Sequence, residues 1–248
     1  MAKGKRLLLL GVYGMEMVEC GGVLCKNVKN GGVSHASIMF AGPKMRAGLE
    51  KSAKLLGCSI EYLDMDTATI SASLEEKKKL MKVIRTFKPD IIITQDTEHC
   101  VSDLDPGRRP AMTALLEAMA LAGREVLLDE EAGTEPHRGF TVYYMTPENP
   151  NCLVDIADVW DEKCQAMDVL ESQLEFIGEL HDFPEERAMY GKFIPGAESM
   201  DRLAYGTAIK RLMDVAYHMY YGSTGHNKVL VSENYRKDSL FVLDELLQ

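Results

Sequence analysis

Two stretches of this sequence gather side chains able to move a proton or hold a ligand. Tyr13, Glu16 and Glu19 follow the apolar run Leu7–Val12; Gln95, Asp96, Glu98, His99, Asp103 and Asp105 follow the run ending at Thr94, with Arg108 and Arg109 just beyond. Glu16 can act as a general base if burial raises its pKa, or it can simply bond the helix start at Gly21-Gly22 or an arginine. His99 is the best placed of the six histidines for acid–base work, its alternative being an ordinary surface position in the loop after a strand. Arg108 and Arg109 at a helix start offer planar forks suited to a carboxylate or phosphate, unless one of them pairs with Asp103, Asp105 or Glu16. A metal held by Asp96, Glu98, His99 and Cys100 is disfavoured, because adjacent residues seldom aim at one point and no H-x-H or H-x-x-x-H pair exists. His137, Arg138 and His226 lie where they could reach a pocket, including that of a neighbouring subunit.

For these groups to meet, short strands must end near one another. The first half alternates apolar runs with amphipathic ones, the pattern of a parallel sheet with crossover helices. Strands are expected at Arg6–Gly11, Ser34–Phe40, Ser59–Leu63, Asp90–Thr94 and Phe140–Thr146. A helix over Leu74–Phe87 opens with the capping box Ser73-x-x-Glu76 and buries Leu80, Met81, Ile84 and Phe87. Another opens near Pro110, turns Met112, Leu115, Leu116 and Met119 inward, and stops at Gly123. Two long helices are expected later, from about Asp158 to Leu180 and from Ser199 towards Tyr221, joined by a surface loop Phe183–Gly196 of the kind that forms a pocket wall. The fold class is therefore α/β, Rossmann-like, mostly parallel with helices on both faces, in one domain spanning 1–248 with a helical and loop elaboration from about 158.

Composition narrows the partners. The 248 residues are 46% hydrophobic, enough for one substantial core. A net charge of −10 argues against nucleic acid and anionic membranes. The one dense basic run, Lys77-Lys78-Lys79, follows Glu75-Glu76 and is expected to be a solvated helix face with i,i+4 pairs. The apolar run at the N-terminus is too short to span a bilayer, and six scattered cysteines without C-x-x-C spacing suit reduced, packed thiols. Both features lead to an expected cytoplasmic location.

Several segments together resemble the LmbE-like or PIG-L deacetylase family. Leu7–Gly22 (LLLLGVYGMEMVECGG) is similar to its strand, AHPDDE and Gly-Gly entry; Arg46-x-x-x-Glu50-x-x-Ala53-x-x-Leu56-Gly57 to its second helix; Lys88-Pro89-Asp90-Ile91-Ile92-Ile93-Thr94 to its R-P-D strand; and Val154-Asp155-Ile156, Lys163, Ala166-Met167 and Ser172-Gln173 to its V-D-I…K…A-L…S-Q segment. The resemblance implies a Rossmann-like fold with the site at the carboxyl ends of the strands and, in the family generally, zinc-dependent removal of an acetyl group from N-acetylglucosaminyl-type amines, with some members recruited to hydration of unsaturated dicarboxylic acids. It also places the zinc ligands on Val12, Met15 and Arg108, the catalytic-base Asp on Gly14, and the oxyanion-supporting His on Asp105; only Glu16 matches. Zinc requires imidazole, thiolate or carboxylate, so no cofactor is expected.

The resulting expectation is a divergent family member that has lost the zinc centre and keeps a pocket for a small anionic or sugar-like ligand, with Tyr13, Asp105, Arg108 and Arg109 binding and Glu16 and His99 as candidate acid–base groups. It is expected to be a homo-oligomer, or a hetero-oligomer with an active homologue. The alternatives are a metal-independent hydrolase, hydratase or lyase on a carboxylate-bearing molecule, and a conventional zinc deacetylase whose ligands lie elsewhere.

Overall fold

The computed structural model describes residues 4–226 and 228–239; the remainder of the 1–248 span expected to form one domain, residues 1–3, 227 and 240–248, lies outside them. A seven-stranded sheet runs in the order β3-β2-β1-β4-β5-β7-β6. Its strands are β1 (Arg6–Tyr13), β2 (Val33–Phe40), β3 (Ser59–Tyr62), β4 (Ile91–Gln95), β5 (Thr141–Met145), β6 (Cys152–Asp155) and β7 (Ser232–Lys237). The pairs β1–β2, β2–β3, β1–β4 and β4–β5 are parallel, and β7 runs antiparallel to both β5 and β6. All five expected strands are present, each within two residues of the bounds read from sequence. The last two strands had no sequence signal strong enough to name them.

β1 is apolar on both faces because helices cover both. Leu7 and Leu9 enter one core layer, against α1 (Glu16–Glu19), α2 (Gly21–Lys29), α3 (Pro43–Leu56) and α7 (Trp160–Asp168); Leu8, Leu10 and Val12 enter the other, against α4 (Leu74–Phe87) and α6 (Arg108–Ala122). A parallel strand buried on both faces gives a continuous apolar run in place of alternation. α4 has the expected bounds and capping box: Ser73 Oγ accepts from Glu76 N, and the Glu76 carboxylate accepts from Ser73 N.

Several expectations are corrected. Leu116 is 37% exposed, since Ala111, Ala114, Ala118 and Ala122 take the buried stripe of α6 and rotate it outward. The helix expected over Asp158–Leu180 is broken: a 3₁₀ turn (Ala157–Val159) leads into α7, and α8 (Glu171–Leu180) begins after Val169 and Leu170. The break brings backbone against α3 at Gly48, where a Cβ would stand 2.8 Å from Val169 O. Half of the loop expected over Phe183–Gly196 is helical, as α9 (Pro184–Tyr190), with Pro184 in the first turn. Lys77 and Lys78 pair across the fold, with Glu117 and with Asp129 and Glu131, and not along their own helix. The last long helix, α10 (Arg202–Tyr221), follows expectation, capped by Asp201 accepting from Ala204 N.

One structural centre carried no sequence signal. Arg85 is buried on α4 and donates to the carbonyls of Leu121, Ala122, Arg124, Val126, Leu127, Ala132 and Gly133. It thereby ties the segment 121–133 to the sheet-covering helix and gives each of those carbonyls a donor. None of the six cysteines is disulfide-bonded, and Cys20, Cys25, Cys58 and Cys100 are buried. Among the described residues no helix is long and apolar enough to cross a membrane.

Candidate functional site

In the order β3-β2-β1-β4-β5 the chain reverses its winding between β1 and β4. At such a switch point the loops leaving neighbouring strands turn to opposite faces and open a crevice at the carboxyl ends. A cleft of about 430 Å³ lies there. Tyr13, Met15, Glu16 and Glu19 line it from the end of β1 and from α1; Gln95, Asp96 and His99 from β4 and α5 (Thr97–Ser102); Arg108 from α6; and Met45, Thr146, Gln173, Phe176 and Ile177 complete it.

The polar floor is a connected network. Arg108 Nη1 donates to Gln95 Oε1, which turns the Gln95 amide so that its Nε2 donates to Glu16 Oε1. Glu16 is 2% exposed, and its Oε2 is buried with no hydrogen-bond partner. Burial pushes the Glu16 carboxyl up to about 8, opposed in part by backbone amides and by Arg108. Arg108 also places Nε 2.6 Å from Asp103 Oδ2, a Coulombic contact in which the N–H is not aimed along the line, and its guanidinium lies 5.0 Å from the Tyr13 ring centre. Tyr13 donates its hydroxyl to Asp105 Oδ2, while Asp105 Oδ1 accepts from Gly107 N at 2.8 Å. Burial first and that bond second raise the Tyr13 pKa; the Tyr13 hydrogen bond is the main cause of the lowered Asp105 pKa.

The predicted residues therefore separate. Tyr13, Glu16, His99 and Arg108 reach the cleft; Asp105 stands behind Tyr13 and holds it. Arg109 is exposed, donates to the Asp103 carbonyl and is not part of the lining. His99 sits on a helix and not on a loop; it is 54% exposed on its side chain and 3.6 Å from Asp103. Asp96 caps α5 through His99 N and pairs with Arg236 of β7 at 2.6 Å. His137 hydrogen-bonds Pro89 O, and Arg138 donates to Gly123 O, both away from the cleft lining. His226 lies in the turn after α10 and is also outside the lining. The segment 183–196 contributes no wall; that role falls to α8 through Gln173, Phe176 and Ile177.

Behind the cleft, Glu16 does not bond the Gly21-Gly22 helix start. Glu233 of β7 does so, accepting from Gly22 N at 2.7 Å and Val23 N at 2.9 Å. Buried Lys163 reaches Glu233 at 2.8 Å and caps the end of α1, donating to Val18 O and Glu19 O at 2.6 Å each. Glu19 lies 3.7 Å from Lys210 of α10. Sequence reading missed Glu233 and Lys210 because β7 was not foreseen and a lysine inside a helical pattern looks like surface; Lys163 was visible only as part of the V-D-I…K segment.

At the positions where the resemblance places the zinc ligands, the residues present do not fit a zinc ion. Val12 is fully buried in the α4–α6 core, Met15 offers a thioether, and Arg108 brings a positive charge. Among the described residues no group of three His, Cys, Asp or Glu side chains is disposed to hold a metal.

The fold defines a Rossmann-like α/β protein with a cleft at its switch point. No family model matches the chain. It is 32% identical over 127 residues to the diacetylchitobiose deacetylase of Thermococcus kodakarensis, a match covering 50% of this chain and 47% of that enzyme, so the chain aligns with about half of its relative's length. In structure it is similar to the N,N'-diacetylchitobiose deacetylase of Pyrococcus horikoshii, with a TM-score of 0.67, 22% identity and coverage of 94% and 84%. It is also similar to GalB, the 4-carboxy-2-hydroxymuconate hydratase of Pseudomonas putida KT2440, with a TM-score of 0.66, 18% identity and coverage of 97% and 99%. The chain is thus related to the LmbE/PIG-L deacetylases, by sequence over half its length and in fold over nearly all of it.

Proposed function

We propose that this protein has lost zinc-dependent N-deacetylation and uses the cleft to bind a small, neutral, sugar-like ligand. One observation carries the reading: Val12, Met15 and Arg108, onto which the resemblance places the three zinc ligands, offer none, while the cleft that Met15 and Arg108 line remains open over its polar floor. Charge decides between the two ligand classes expected from sequence. Arg108 is balanced by Asp103 and Asp96 by Arg236, while Glu19, 3.7 Å from Lys210, shares that cation with Asp214 at 2.8 Å. Among the described lining residues no uncompensated cation awaits an anion, and the burial that favours a neutral Glu16 would also disfavour a bound carboxylate. Tyr13 and Phe176 offer flat apolar surface and Gln95, Gln173 and Thr146 offer hydrogen bonds, a mixture typical of small-molecule pockets.

Saturation-transfer NMR with N-acetylglucosamine, glucosamine and malate tests the ligand class. Binding of a neutral sugar, weakened by Phe176→Ala, supports the reading; binding of malate alone restores the anionic one. As a non-catalytic partner the chain would join an active homologue, and the exposed Leu180, Phe183 and Phe193 on and after α8 support such a contact. Failure of any such homologue to co-purify with it removes that version. Unpaired cysteines favour a cytoplasmic setting.

A second reading has its own observation. A carboxyl buried beside the cleft and pushed up to about 8 is poised to exchange a proton near neutral pH, as a metal-independent hydratase or lyase would require. In that case Glu16→Gln abolishes turnover of an unsaturated carboxylate without lowering the thermal midpoint at pH 6; unchanged turnover ends the reading.

A further inference from the structure

We propose that the Arg108 guanidinium is a tethered cation standing in for the family's metal, organising the cleft by holding Asp103, Gln95 and Tyr13 at once and, through Gln95, Glu16. This rests on the loss of the zinc site argued above and concerns what replaced it. Arg108 stands where the resemblance places the third zinc ligand and, among the described residues, is the one Lys or Arg in the lining. Its side chain is 18% exposed. Its partners approach from separate elements: Tyr13 from β1, Gln95 from β4 and Asp103 from the end of α5.

Each contact uses a different feature of the group. Nε faces the Asp103 carboxylate, Nη1 donates to the Gln95 carbonyl oxygen, and the cation lies against the π face of Tyr13. A flat guanidinium spreads its charge over all three contacts and stacks on the ring, whereas an ammonium presents a compact charge that cannot face all three at once. The Gln95 contact has a further effect, because engaging its oxygen commits its nitrogen to Glu16. A metal ion would draw such groups together by coordination. Here the same ends of β1 and β4 are drawn to a cation that belongs to the chain and is itself balanced by Asp103.

Chemical rescue tests this directly. Arg108→Ala should lower the thermal midpoint, and millimolar methylguanidinium should bind one per chain and restore more than half of the loss. Methylammonium at the same concentration should not, and the wild-type protein should respond to neither. Arg108→Lys, which keeps the charge and most of the stem, should also melt below wild type; if Arg108→Ala does not fold, this variant decides. Equal rescue by both cations, no rescue by either, or an Arg108→Lys midpoint equal to wild type overturns the proposal. Zinc uptake by the wild-type protein would instead overturn the functional reading on which it rests, so the two failures are distinguishable.

Discussion

Replacing Glu16 by Gln should change how stability responds to pH, because it fixes in place the neutral form that burial favours. The wild-type carboxyl is pushed from an ordinary 4.5 to about 8 in the folded protein. Between those values the unfolded chain has released a proton that the native state retains. Its contribution is therefore fully present below pH 4.5 and is lost as pH rises through about 8. At roughly 1.36 kcal/mol per unit, the interval corresponds to a loss on the order of 5 kcal/mol. His218 acts in the opposite sense. Burial lowers its pKa from 6.5 to about 3, so its contribution is present above 6.5 and is lost as pH falls towards 3. From pH 4.5 to 6.5 the two slopes cancel, and from 6.5 to 8 only Glu16 acts, costing about 2 kcal/mol. The amide oxygen introduced by Glu16→Gln can still accept from Gln95 Nε2, so the substitution should be nearly neutral at pH 4.5. Urea unfolding of both proteins at pH 4.5, 6.5 and 8 should show the variant gaining on wild type throughout, by roughly 2 kcal/mol over the last step. A difference independent of pH would refute the claim that Glu16 is held neutral by burial.

Further outcomes follow from the groups behind the cleft. Lys163→Met should destabilise by about 3–5 kcal/mol in urea unfolding, since it strands the Glu233 carboxylate in the interior. Adding Glu233→Gln to Lys163→Met should cost less than the sum of the two single changes, and simple additivity would show that the pair does not interact. Arg85→Met leaves its seven carbonyl partners short of donors. It should cost at least about 3 kcal/mol and accelerate amide exchange across 121–133 ahead of the rest of the sheet; uniform acceleration would contradict its local role.

The first five strands were legible because a parallel sheet covered on both faces leaves apolar runs, and α4 because its capping box is a local signal. β6 and β7 were not, since SENYRK buries Ser232, Glu233 and Asn234 through contacts that form only after folding. Tertiary partners also decided the arginines: their positions in sequence were equivalent, yet Arg108 turns to Gln95 and Asp103 while Arg109 faces solvent. Spacing places Glu16 at the strand end, but the helix start, one of its two expected structural partners, is served by Glu233, 211 residues from Gly22. The break between α7 and α8 was hidden because Met167, Leu170 and Leu174 keep a helical spacing across it.

Zinc affinity of the purified wild-type protein tests the loss of the metal centre most directly. Protein prepared without a metal-carrying tag, dialysed with equimolar zinc and then against metal-free buffer, should retain well below one ion per chain by elemental analysis, with no change in thermal midpoint and no acetate released from diacetylchitobiose. Near-stoichiometric zinc, removable by a chelator with a fall in midpoint and loss of acetate release, would contradict the assignment of Val12, Met15 and Arg108 to the ligand positions and make the cleft a zinc deacetylase site.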